Sequence, residues 1–217
     1  MDVGWMVDHL DDLAYRLVQH IWLASIAVVV GLVISFGLAI MAVRRRATYG
    51  PIVAISDILY TIPSVAIFVA LISVTGISVV TVEVPLIMYT FLIFVRNIVA
   101  GFDSVPTDVL EAADGMGYTR WQRLWRVELP LAIPLVVAGL RLASVSTIAL
   151  VTISGIIGDK FGGLGYFIFD GYHRGFPTET YFGAIPSILL AIAADVVYVR
   201  LQRRATPWAT TVAGRFA

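Results

Sequence analysis

The chain has 217 residues, 59% hydrophobic and 14% charged, with a formal net charge of zero. A soluble globular domain carries about a quarter charged residues, so this composition points to a membrane protein. The absence of cysteine excludes disulfides and thiol chemistry; His9, His20 and His173 are too scattered for a metal site, and the neutral balance offers no footing for nucleic acid.

The first twenty residues are acidic (Asp2, Asp8, Asp11, Asp12) and lack the basic start of a cleaved signal peptide. Leu10, Leu13 and Leu17 recur at helical spacing, which predicts a short amphipathic helix over residues 1–20 on the outer surface, with a frayed terminus as the plain alternative. Five apolar segments follow, at 21–43, 51–74, 79–99, 131–157 and 182–199. Each approaches or exceeds the length a bilayer requires, and lipid leaves the helix as the only way to satisfy an open segment's backbone.

Lysine and arginine placement sets the expected orientation. With the N-terminus outside, the inner loops hold ten basic residues (Arg44, Arg45, Arg46, Arg120, Arg123, Arg126, Arg200, Arg203, Arg204, Arg215) and the outer ones three (Arg16, Lys160, Arg174). The fold class is therefore all-α integral membrane: five transmembrane helices, N-out and C-in, in a single domain over 1–217. Five spans are few for a complete solute pathway, so a second copy or a paired sister subunit is expected.

Between the third and fourth spans lies a polar segment, 104–130. Pro106 suits the first position of a short helix, and Asp108 and Glu111 fall in its early turns, where the helix dipole favours negative charge. Val109, Ala113 and Met116 share one face, and Gly117 is placed to end the helix in the left-handed region. Thr119 and Gln122 form a capping box that opens a second helix, expected to stop before Pro130. Trp121, Leu124 and Trp125 make an apolar face opposite Arg120, Arg123 and Arg126. On these grounds alone the segment fits two roles, docking a partner or resting on lipid headgroups.

Glu111-Ala112-Ala113, then Gly117, with Leu129-Pro130 closing the segment, resembles the EAA motif of binding-protein-dependent ABC importer permeases. The resemblance extends over most of the chain: Tyr60-Thr61-Ile62-Pro63-Ser64-Val65-Ala66, Val95-Arg96-Asn97, Gly162-Gly163-Leu164-Gly165 and Ala194-Asp195 look like the osmoprotectant branch, which moves glycine betaine, carnitine and choline. The outer stretch Gly158-Asp159-Lys160-Phe161 departs from the shorter junction expected there. The resemblance implies a cytoplasmic coupling helix between spans three and four, with Glu111, Ala112, Ala113, Gly117, Leu129 and Pro130 meeting ATPase subunits. It also implies an extracellular solute-binding protein, a second permease, and residence in the bacterial inner membrane. The chain has no Walker A sequence, so ATP and magnesium are expected on the partner ATPase, and no cofactor or catalysis in this chain. An amino-acid permease of methionine type and an ATP-independent channel are the alternatives.

Four charged residues lie inside apolar spans: Asp57, Arg96, Arg141 and Asp195. Such groups are costly in lipid and face the bundle or water. In the topology above all four fall in the inner half, which predicts ion pairs near the inner end of the pathway, against independent snorkelling of the arginines. Thr61, Pro63, Ser64, Tyr89, Ser144 and Thr147 are candidates to line the pathway, though small polar residues also serve as helix-packing contacts. Pro63 is expected to kink or loosen its helix.

Overall fold

A computed structural model describes residues 1–205; Arg215, counted above on the inner side, lies outside the described residues. Among the described residues all regular structure is helical. In chain order the helices are α1 (Val3–Asp8), α2 (Leu10–Arg44), α3 (Tyr49–Thr61), α4 (Ser64–Thr75), α5 (Val79–Asp103), α6 (Thr107–Gly115), α7 (Arg120–Arg123), α8 (Leu129–Ser154), α9 (Gly165–His173) and α10 (Pro177–Ala205). A π-turn, Leu124–Glu128, joins α7 to α8. Four stretches are long and apolar enough to cross a membrane: Leu10–Arg44, Val79–Asp103, Arg120–Ile157 and Pro177–Arg204. A bent pair, Arg46–Thr61 with Ser64–Thr75, makes a fifth if counted as one.

Three elements differ from the sequence expectation. The outer amphipathic helix over 1–20 does not form as a unit. Neither glycine nor proline interrupts residues 10–30, so α2 starts at Leu10 and runs unbroken for 35 residues, about 52 Å. Asp11 and Asp12 sit in its first turn, where the dipole favours them. Only α1 stands apart, and it is docked. Trp5 stacks on His9 at 4.0 Å and meets Phe176 and Phe182 edge-on, while the Asp2 N–H donates to Thr178.

The second span is not one helix. It breaks between α3 and α4, which meet at 87°. Pro63 disfavours the helical region for Ile62, which is extended at φ −67°, ψ 129°. The third difference lies at Pro130, where no helix stops. The π-turn hydrogen bond from the Leu129 N–H to the Leu124 carbonyl widens the helix one residue before the proline. The wider turn accommodates a residue that has no N–H and whose ring crowds the preceding turn. The span candidate Arg120–Ile157 thus passes the proline unbroken.

The core is built where α2, α5 and α8 meet. Phe94, Val95, Ile98 and Val99 of α5 pack on Ala39 and Ala42 of α2 and Ala132 and Ala143 of α8. Close approach explains the small partners: a Cβ at Gly31 of α2 would lie 1.9 Å from Thr90 Oγ1 of α5. A second cluster joins Leu23 and Ala27 to Phe68, Val82, Leu86 and Val151. At the α9–α10 corner, Arg174 donates to Glu179 and pairs with Asp170 at 3.1 Å. The Glu179 hydrogen bond is the main cause raising the Arg174 pKa above its ordinary value.

Candidate functional site

The polar segment folds into two helices around one turn. Pro106 is the N-cap of α6, one position earlier than expected, and Thr107 is its first helical residue. Gly117 has φ 79°. The Tyr118 N–H donates to the Ala113 carbonyl and the Gly117 N–H to that of Asp114, the paired bonds of a Schellman motif. Thr119 and Gln122 then exchange both bonds of a capping box at the start of α7.

The exposed face of α6 differs from the expected one. Ala113 is 1% exposed and faces its own protein, whereas Glu111 and Ala112 are exposed. Met116, expected on the Ala113 face, is the cap residue and 70% exposed. A partner seated on α6 would therefore meet Glu111, Ala112 and Met116. Leu129 and Pro130 are half-buried in the first turn of α8.

Arg123 ties this segment together. Its Nη1 is 2.6 Å from Asp114 of α6, and its Nε is 2.8 Å from Glu128 in the π-turn. One guanidinium therefore links the α6 end to the base of the fourth span. Beside it, Arg44 lies 3.8 Å over the Trp121 ring, and Trp121 stacks with Trp125. Arg44, Asp114, Trp121, Arg123 and Glu128 border a cavity of about 900 Å³ whose wall also includes Arg45 and Arg120.

The break in the second span opens a second cavity, of about 420 Å³. Thr61, Pro63, Ser64, Tyr89 and Thr147 line it, together with Tyr60 and Ser146. Five of the six lining candidates thus converge. Ser144 does not; it borders a separate cavity with Ser25 and Tyr198. The Tyr89 hydroxyl donates to the Ile62 carbonyl, which the break leaves without a helical partner. Tyr60 and Tyr89 meet edge to face, their ring centroids 5.6 Å apart.

The four charged residues within the spans form two separate pairs and no joint network among the described residues. Arg96 Nη2 lies 2.8 and 2.9 Å from the two Asp57 oxygens. Arg141 Nε and Nη2 lie 2.5 and 3.0 Å from those of Asp195. Asp57 is one turn before Tyr60 and Arg96 one turn beyond Ile93, so the first pair adjoins the cavity at the break. Arg141 precedes Leu150, a cavity-lining residue, by nine positions, which places it on the opposite side of α8.

Sequence reasoning missed Tyr60, the Asp114–Arg123–Glu128 linkage and a bidentate pair between Arg46 and Asp103. Asp114 and Arg123 are nine residues apart across a turn, a separation no helical period connects. Tyr60 stood inside a quoted motif, and the Pro63 break three residues on was the available signal.

The sequence profile of the family described as "Binding-protein-dependent transport system inner membrane component" matches residues 27–207. The glycine betaine/carnitine/choline transport system permease protein OpuCB of Bacillus subtilis (strain 168) is 34% identical over 196 residues, 90% of this chain and 89% of that protein. The osmoprotectant import permease protein OsmW of Salmonella typhimurium is 35% identical over 94% of this chain and 97% of its own length. Among solved structures, an inward-facing conformation of the MetNI methionine ABC transporter superposes with a TM-score of 0.79. It is 21% identical and covers 95% of this chain and all of that one, a likeness of fold.

Proposed function

The chain belongs to the family of binding-protein-dependent transport system inner membrane components, and from that membership we propose that it is the permease subunit of an ATP-driven importer for glycine betaine, carnitine, choline or related compatible solutes. The observation that carries the reading is its near full-length match to permeases named for these solutes. As a family member it is a multi-pass membrane component of a transport complex, served by an ATPase and a binding protein.

The finer features of the proposal rest on the residues. We place the chain in the bacterial cytoplasmic membrane with five spans, the broken pair counted as one, N-terminus out. The basic asymmetry supports that orientation. In this arrangement α6 is the coupling helix. Glu111, Ala112 and Met116 meet a cytoplasmic ATPase that binds ATP and magnesium, and Arg123 carries the movement of α6 to the fourth span. A second permease, identical or sister, completes the pathway, because five spans are few for a complete solute route.

Uptake by a strain deleted for its own osmoprotectant systems, carrying this chain with its ATPase and binding protein, tests the reading. Labelled glycine betaine, carnitine or choline is expected to accumulate and methionine is not. Methionine uptake alone would replace the cargo with an amino acid. Uptake that persists after the ATPase is inactivated would make the chain a passive channel.

A further inference from the structure

The cavity at the Ile62–Pro63 break is lined by hydroxyl-bearing, aromatic and apolar side chains. Its wall carries no charged residue among the described ones. Its tyrosine rings are prominent: Tyr60 is 44% exposed, and Tyr89 stands against it edge to face. Two hydroxyls already donate their protons to the backbone, Tyr89 to the Ile62 carbonyl and Thr61 to the carbonyls of Asp57 and Ile58. Those of Ser64 and Ser146 make no hydrogen bond among the described residues.

A primary ammonium arriving here brings three N–H donors. With no carboxylate in the wall, that compact charge would exchange its hydration for neutral hydroxyl oxygens only, and any donor left unpaired is costly. A quaternary ammonium has no N–H to satisfy, and its diffuse charge is attracted to aromatic faces. The free serine hydroxyls suit the carboxylate or hydroxyl that such solutes carry at the other end. The absence of a fixed counter-charge in the wall also suits passage, since the adjoining Asp57 carboxylate is already paired with Arg96.

We propose that the Tyr60–Tyr89 pair is where this chain receives the quaternary ammonium head of its cargo during translocation. The proposal rests on the importer reading above and adds to it a contact residue and a reason for the cargo class. Tyr60 is the more informative position, because the Tyr89 hydroxyl also holds the break in place.

The test is ATP-driven uptake of labelled choline and glycine betaine into proteoliposomes that contain the whole complex, at saturating binding protein. Saturation removes the binding protein's own selectivity from the rate. Tyr60→Leu is expected to lower the rate by about tenfold, the order one cation–π contact supports. Tyr60→Phe, which keeps the ring, is expected to stay close to the unmodified rate. Co-purification of the ATPase with each variant reports assembly. A Tyr60→Leu complex that assembles and transports normally overturns the proposal, as does equal loss in Tyr60→Phe, which would assign the effect to the hydroxyl. Failure of the importer reading would show earlier and separately, as no quaternary ammonium uptake by the unsubstituted complex.

Discussion

A Cβ at position 117 would meet no atom within 4 Å, so a substitution there acts through backbone conformation alone. At φ 79° an L side chain costs about 1–2 kcal/mol. Gly117→Leu is therefore expected to insert in the membrane at normal yield but lose most ATP-driven uptake, because α6 no longer turns back onto α7. Uptake at the unsubstituted level would show that the turn is dispensable. Arg123→Ala probes the same transmission from the other side. It leaves Glu128, 8% exposed, without its ion-pair partner, a loss of about 1–3 kcal/mol. It also frees Asp114. ATP hydrolysis that is no longer matched by uptake is the expected result, read as the ratio of the two rates in one reconstituted preparation. Gly117 and the Thr119–Gln122 box were legible in the sequence because each depends on residues within a few positions. The Arg123 linkage was not, since it exists only after Gly117 has reversed the chain.

At the scale of elements, local breakers were readable, but how strongly the surroundings let them act was not. Pro63 and Pro130 carry the same defect, a missing N–H and a crowding ring. At Pro63 the helix opens by 87°; at Pro130 a π-turn absorbs the defect and the helix continues. The difference lies in hydrogen-bond substitution. The Tyr89 hydroxyl takes the Ile62 carbonyl and stabilises the open form, whereas Leu129 finds the Leu124 carbonyl within its own helix. Pro63→Ala restores the N–H and relieves Ile62 of its preference for extended backbone. It is expected to straighten the second span, close the cavity and reduce uptake severalfold. The chain has no native cysteine, so a single cysteine at Ser64 can report the change: it should react with a water-soluble thiol reagent in the unsubstituted background and be protected in Pro63→Ala. Equal labelling in both would mean that packing, not proline, holds the break. The N-terminal helix shows the converse limit. A helix was legible there but its division was not: no glycine or proline marks the break at His9, and three turns expected on the outer surface are continuous with the long apolar helix α2.

Across the whole molecule the charged pairs divide by the side on which they lie. All four side chains are substantially exposed in the single chain, from 37% to 53%, and a charge open to hydrocarbon is strongly disfavoured. Pairing was expected from the balance of signs at similar depth. The division into two sites was not, because depth along a helix says nothing about its azimuth. Asp57–Arg96 adjoins the cavity on α3 and α5, so water or a second permease can face it. It lies one helical turn from the lining residues Tyr60 and Ile93. Breaking it by Arg96→Ala is expected to let ATP hydrolysis outrun uptake, and the exchange Asp57→Arg with Arg96→Asp to restore the ratio. Arg141–Asp195 lies across α8 from the cavity and joins α8 to α10, which fits a pair that fixes two helices while cancelling their charges. Either single substitution, Arg141→Leu or Asp195→Leu, leaves one uncompensated charge and should lower the amount of chain recovered from membranes. The double substitution removes both charges and should recover the yield, with uptake per assembled complex preserved. Recovery of yield without recovery of uptake would move this pair into the transport cycle, and with it the boundary of the pathway to the far side of α8.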